Sequence, residues 1–295
     1  VKRITRHDKN YPDRLKELPD TPAITVSAPL DFARTRIAIV GSRSPLPESR
    51  AYAYALAADL AAAKVIVISG GALGIDRAAH EGALDAGGIT WCVAPNGSAH
   101  VSPPANADLF DRIRESPPCA MIWPFRDDIE CDTRTPRARN AVLIALADAV
   151  VVVQARLQSG SRNAASWARS LNRPLWVVSH APWVRQYDGS LLEIANGARI
   201  MRRTEDLLES LGQKALPQVP MKKSYPLPEV LPDGSWSDTE KLVFSVLSDT
   251  EAHIDKVASE TGLAIPAAVT ALLTLSMKNV VVEGPDGFFR RNCAG

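Results

Sequence analysis

The sequence predicts an α/β protein: a doubly wound, mostly parallel sheet, followed by a small domain of three helices and a hairpin. Three observations carry this expectation. Short apolar, β-branched runs alternate with helical segments over residues 36–178. Two neighbouring strand–turn–helix units place glycine at the turn. A proline-rich stretch then sets off a last segment that opens with its own capping signal.

Taken in order, residues 1–35 form a lead-in that starts basic (Lys2, Arg3, Arg6, Lys9), and Pro12 and Pro22 exclude one long helix. Arg36-Ile37-Ala38-Ile39-Val40 reads as a strand, Gly41-Ser42-Arg43 as a turn, and residues 49–63 as an Ala-rich helix. Residues 65–68 repeat the strand, Ser69-Gly70-Gly71 the turn, and residues 75–86 the helix. Further strands are expected at 90–94, 120–123, 150–153 and 175–178, with helices near 107–115, 138–147 and 162–171. The run 149–153 is almost purely apolar, as a parallel strand buried on both faces must be. Such alternation implies right-handed crossovers with helices on both faces, a Rossmann-like domain over 36–210. Residues 211–235 hold Pro217, Pro220, Pro226, Pro228 and Pro232 and read as a linker. In the last domain, 236–295, Ser237-Asp238-Thr239-Glu240 opens a helix to about residue 248. A second helix ends near Gly262, and a third begins at Ile265-Pro266. Residues 280–291 form a hairpin around Gly284-Pro285-Asp286-Gly287, and three helices followed by a hairpin make a winged helix.

With a net charge of +1 on 295 residues, bulk charge does not announce a nucleic-acid binder, so any such surface must be local. The four cysteines, Cys92, Cys119, Cys131 and Cys293, form no C-x-x-C pair and no zinc spacing. A reducing, cytoplasmic compartment is expected, with no metal and no cofactor. No apolar run reaches the roughly 18 residues of a membrane span, so no membrane partner is expected.

The turns suggest the chemistry. A helix that starts directly after a Gly-rich turn presents free backbone N–H groups and a partial positive charge, a ready site for phosphate. Neither turn is a G-x-G-x-x-G or Walker fingerprint. Arg43, Arg134, Arg137, Arg139, Arg156 and Arg162 all fall at loops after strands or at helix starts, the end where open α/β sheets bind ligands. The candidate contacts are Gly41, Ser42, Arg43, Ser69, Gly70, Gly71, Arg137, Arg139, Asn140, Ser159, Gly160, Ser161 and Arg162. Asp76 and His80 share a helix face, but no Ser or Cys sits in a nucleophile elbow. A structural role is expected for them, and no catalytic residue. The third helix of the last domain carries only Lys278 as a base, a poor endowment for reading the major groove; Arg290 and Arg291 on the wing are the alternative contacts.

The wording of the turns is more specific than their class. Val40-Gly41-Ser42-Arg43, Ser69-Gly70-Gly71-Ala72-Leu73-Gly74-Ile75-Asp76, Ala79-His80, Ser102-Pro103 with Asn106, Arg139-Asn140, Ser159-Gly160-Ser161, and Gly189-Ser190 with Asn196-Gly197-Ala198 together resemble the DNA-processing protein A (DprA/Smf) family. The resemblance runs from about Tyr11 to Arg291. It implies a cytoplasmic, non-enzymatic homodimer that binds single-stranded DNA and helps the RecA recombinase onto it during natural transformation. The chain departs from the family pattern at Leu73, Asp108, Gln154, Asn163 and Ser179-His180. Two other readings stand beside this one: a nucleotide-binding sensor or hydrolase on the same scaffold, and an adaptor that docks a recombinase.

Overall fold

The computed structural model describes residues 1–181, 183–212, 236–248, 252–277, 280–283 and 288–292. They fall into two compact units, Val1–Val219 and Pro220–Gly295.

The larger unit runs β1 (Lys2–Ile4), β2 (Ile24–Val26), β3 (Arg36–Val40), α1 (Pro47–Ala62), β4 (Ile66–Ser69), α2 (Ile75–Asp85), β5 (Thr90–Val93), α3 (Ala107–Glu115) and β6 (Ala120–Trp123). It continues α4 (Thr135–Leu146), β7 (Ala149–Val152), α5 (Gly160–Ser170), β8 (Leu175–Val178), α6 (Asp188–Ala195), β9 (Arg199–Met201) and α7 (Thr204–Ser210). One sheet joins them in the order β1-β2-β6-β5-β4-β3-β7-β8-β9. From β6 to β9 every pairing is parallel, and β2 and β1 add an antiparallel edge. The strand alternation expected from sequence is the one observed. The lead-in, expected to precede the sheet, supplies two of its strands.

Apolar alternation explains the layers. On β3, Ala38 and Val40 face one core with Val142, Leu143 and Leu146 of α4 and Ala164 and Ala168 of α5. Ile37 and Ile39 face the other, with Ala53, Leu56 and Leu60 of α1, Ala78 and Ala79 of α2, and Leu207 and Leu208 of α7. Helices on both faces are what a parallel sheet requires. The amino end of β3 is fixed electrostatically. The Arg36 guanidinium donates to both oxygens of Asp148 at 3.0 Å, and Arg14 of the lead-in pairs with the same carboxylate.

The strand order has one reversal. From β3 the chain steps outward through β4, β5 and β6, then returns across the sheet to place β7 on the other side of β3. The loops after β3 and β7 therefore diverge and leave a crevice between them at the carboxyl edge.

The smaller unit contains α8 (Asp238–Val246), β10 (Ala252–His253), α9 (Ile254–Thr261), α10 (Ile265–Met277), β11 (Val281–Glu283) and β12 (Phe288–Arg291). The Ser237 side chain accepts from the Glu240 backbone and the Glu240 side chain accepts from the Ser237 backbone, the capping box read from sequence. α9 ends at Gly262, and β11 pairs antiparallel with β12. Val243, Val257, Leu272, Leu275 and Phe289 form its core. The expected Gly284–Gly287 turn, the linker prolines and Lys278 lie outside the described residues. Among the described residues no single helix is long and apolar enough to cross a membrane.

Candidate functional site

A cleft of about 530 Å³ occupies the crevice between the β3 and β7 loops. Gly41, Ser42, Arg43, Arg137, Arg139, Asn140, Ser159, Gly160 and Ser161 all line it, so three stretches far apart in sequence meet as expected. Arg156 lines it too. Arg43, Arg137 and Arg156 are exposed, and their side chains have no acidic partner among the described residues. Ser159 caps α5 by accepting from the Arg162 N–H, while the Gly160 and Ser161 N–H groups have no partner among the described residues. They form the first turn of α5 and can meet an anion. Asn140 ties the two helices at this edge, donating to the Gly160 carbonyl at 3.1 Å and to the Asn163 side chain at 3.0 Å.

The second turn behaves differently from expectation. Ser69, Gly70 and Gly71 do not line the cleft. The turn after β4 already holds an anion of its own, because the Asp76 carboxylate is buried against it, 6% exposed at the cleft wall. The Ala72 N–H donates to Asp76 at 3.3 Å and the Gly70 N–H also faces the carboxylate, while the Ser69 hydroxyl donates to the Ile39 carbonyl at 2.6 Å. Burial raises the Asp76 pKa, and Arg139 and these N–H groups pull it back. The α2 N-terminus is closed as well: Gly74 has φ +78, and the Ile75 N–H donates to the Ser42 carbonyl at 3.1 Å. At Gly41 a β-carbon would stand 2.5 Å from Ile75 Cγ1, so the two turns interlock only with glycine there. Asn106 completes the support by donating to the Gly71 and Ala72 carbonyls.

Two candidate arginines also turn inward. Arg139 is 4% exposed, and its guanidinium donates to the Gly70 and Val93 carbonyls. Burial pulls its pKa down and Asp76 holds it up. It braces the β4 turn beside the cleft. Arg162 donates to the fully buried Glu193 at 2.8 Å and to the Leu157 carbonyl at 2.7 Å. The Arg139 guanidinium is thus committed to the scaffold, whereas Arg162 engages Glu193 and Leu157 through Nε and Nη1 and keeps its side chain 29% exposed. α4 starts three residues before the expected position because Asp132 accepts from the Arg134 and Thr135 N–H groups, each at 2.7 Å. The Thr135 and Arg134 N–H groups and the Arg134 side chain hold this carboxyl down to about 2.

His80 is buried and bonded to Thr90 at 2.7 Å; Asp76 and His80 serve different partners. Burial pushes the Cys92 thiol up to about 12, which removes it as a nucleophile. Among the described residues no group of three His, Cys, Asp or Glu could hold a metal. A larger hollow, about 700 Å³, lies at the opposite end of the sheet around Tyr11, Arg14 and Arg36. Its two arginines are committed to Asp148, so the carboxyl-edge cleft is the better ligand site.

Residues 2–212 match the family model described as DNA recombination-mediator protein A, and residues 228–287 match that of the DprA winged helix domain. The chain belongs to the DprA family. Among DprA relatives, the putative DNA processing protein DprA of Mycobacterium tuberculosis is 33% identical over 266 residues, which are 90% of this chain and 66% of that protein. The chain thus spans just under two thirds of that relative's length. Protein Smf of Escherichia coli is 28% identical over 293 residues, 95% of this chain and 75% of that one. The crystal structure of DprA from Streptococcus pneumoniae superposes with a TM-score of 0.66 at 27% identity, covering 70% of this chain and 73% of that one. A structure of DNA processing protein A from Helicobacter pylori, described for its single-stranded DNA binding mode, gives 0.63 at 26% identity, covering 72% and 96%. The DprA scaffold and its winged-helix module are therefore those expected from the sequence.

Proposed function

We propose that this chain binds single-stranded DNA through its phosphates, in the cleft between the β3 and β7 loops. The observation that carries this reading is the convergence of Arg43, Arg137 and Arg156, none with an acidic partner among the described residues, on a cleft that also offers the α5 N-terminus. Arginine grips phosphate oxygens through a planar fork, and a helix start adds oriented N–H groups. The single-strand binding described for the Helicobacter pylori relative supports the same ligand. Duplex reading by the smaller unit is disfavoured, because α10 (Ile265–Met277) presents no arginine, lysine, asparagine or glutamine.

In the fuller reading, a cytoplasmic homodimer holds incoming strands and passes them to RecA during natural transformation. No reaction is catalysed on the strand. This part is supported by family membership, and by the engagement of Asp76 and His80 in the scaffold.

Fluorescence anisotropy with a labelled single strand and its matched duplex, across a salt series, tests the cleft. The single strand should bind more tightly, with log K falling by about 0.7 per log unit of salt for each phosphate neutralised. Arg43→Ala, Arg137→Ala and Arg156→Ala should each flatten that slope by about 0.7. Unchanged slopes in all three variants would overturn the assignment. Saturable binding of mononucleotides without strand binding would favour the sensor reading.

A further inference from the structure

Trp183 is 82% exposed, an unusual setting for the largest side chain in the repertoire. It lies in the loop between β8 and α6, so it belongs to the same carboxyl edge as the cleft. The first turn of α6, which closes that loop, is stitched to the cleft wall. The Ser190 N–H donates to the Ala155 carbonyl at 3.1 Å, and the Ala155 N–H donates to the Ser190 hydroxyl at 3.0 Å. Gly189 packs so closely on the Arg156 carbonyl that no β-carbon fits there. From the other side the loop is held by Tyr187, buried against Ser49 of α1, its ring centroid 4.3 Å from that of His180 at a tilt of 56°. The indole is therefore displayed from an anchored loop. Arg185, two residues on, is exposed and has no acidic partner among the described residues. Arg156 stands on the cleft side.

We infer that Trp183 is a base-stacking platform that extends the single-strand track beyond the phosphate cleft, with Arg156 and Arg185 holding the flanking phosphates. This rests on the cleft reading above. An exposed indole on the same sheet edge as arginines that have no acidic partner among the described residues matches a polymer that alternates anionic phosphate with flat aromatic base. Stacking of this kind tolerates any sequence, since every base has a π-face. It also rejects duplex, whose bases are already stacked on one another.

The test titrates the full chain against two labelled oligomers of equal length, an oligothymidylate and an abasic sugar–phosphate strand. Trp183→Ala should weaken oligothymidylate binding about tenfold and leave abasic binding and the salt slope unchanged. Trp183→Phe should restore most of the loss. Arg43→Ala should weaken both oligomers and flatten the slope. If Trp183→Ala matches wild type on oligothymidylate while Arg43→Ala fails, the cleft stands and the platform falls. Equal loss on both oligomers, or a changed oligomeric state by sedimentation without DNA, would assign Trp183 to folding or protein contact and overturn the inference. If wild type binds neither oligomer, the cleft reading falls and the platform with it.

Discussion

Among the described residues His80 has one hydrogen-bond partner, and that partner fixes its tautomer. The Thr90 hydroxyl donates to the Val67 carbonyl at 2.9 Å, so it accepts from His80 and the ring proton sits on Nδ1. Burial holds the ring pKa down to about 3, against 6.5 ordinarily, with the charge of Arg139 adding to the effect. The folded protein thus refuses a proton that the unfolded chain accepts. Stability is full above about pH 6.5 and is lost as pH falls from there toward 3, by up to about 1.4 kcal/mol per pH unit from this group. His80→Asn keeps a donor for Thr90 and removes the titration. Urea unfolding at about pH 7, 6 and 5 should show a shallower acid slope in the variant; parallel curves would contradict the assignment. Asp76 illustrates the same inward commitment with the opposite sign of charge. It stands where a ligand anion was expected, and only the fold reveals that the chain fills its own nest.

At the level of elements, α5 is locked to α6 by one carboxylate. Glu193 is fully buried and receives both Arg162 and Arg169. Arg162→Ala leaves that acceptor half-satisfied and should cost about 1–3 kcal/mol, read as a lower Tm, with the salt slope of DNA binding unchanged. A flattened slope would return Arg162 to the phosphate site. The sequence could not show this. Arg162 follows Ser159-Gly160-Ser161 at a helix start, which is where phosphate ligands sit, while its true partner lies 31 residues further on. Strands β3 to β8 were legible for a simple reason: burial on both faces writes them as unbroken apolar runs. β1, β2 and β9 are three residues each, and β1 and β9 each leave only one residue buried, so they leave no periodic signal. The helices α6 and α7 are similarly short. Trp183 was missed because exposure, its telling property, has no signature in sequence.

Across the whole molecule, each unit has a core of its own. The smaller is built from Val243, Leu247, Val257, Leu272, Leu275 and Phe289. Calorimetry should therefore resolve two transitions. Ser237→Ala, which removes the capping box, should destabilise the smaller unit by about 1 kcal/mol and leave the larger transition in place. A single transition that shifts as one would refute this division. With a net charge of only +1, the chain has no diffuse field to draw in a polyanion, so the salt response belongs to the cleft and its loop neighbours.

The cleft has a further property that comes from its position at the reversal of strand order. Its two walls follow β3 and β7, adjacent in the sheet yet joined, at Arg36 and Asp148, across 112 residues of chain. No contiguous stretch of the sequence is a binding module in itself. A nascent chain that has emerged only as far as α3 carries one wall and no cleft. The site exists only where β7 lies beside β3, so a peptide cut from either wall alone does not carry it.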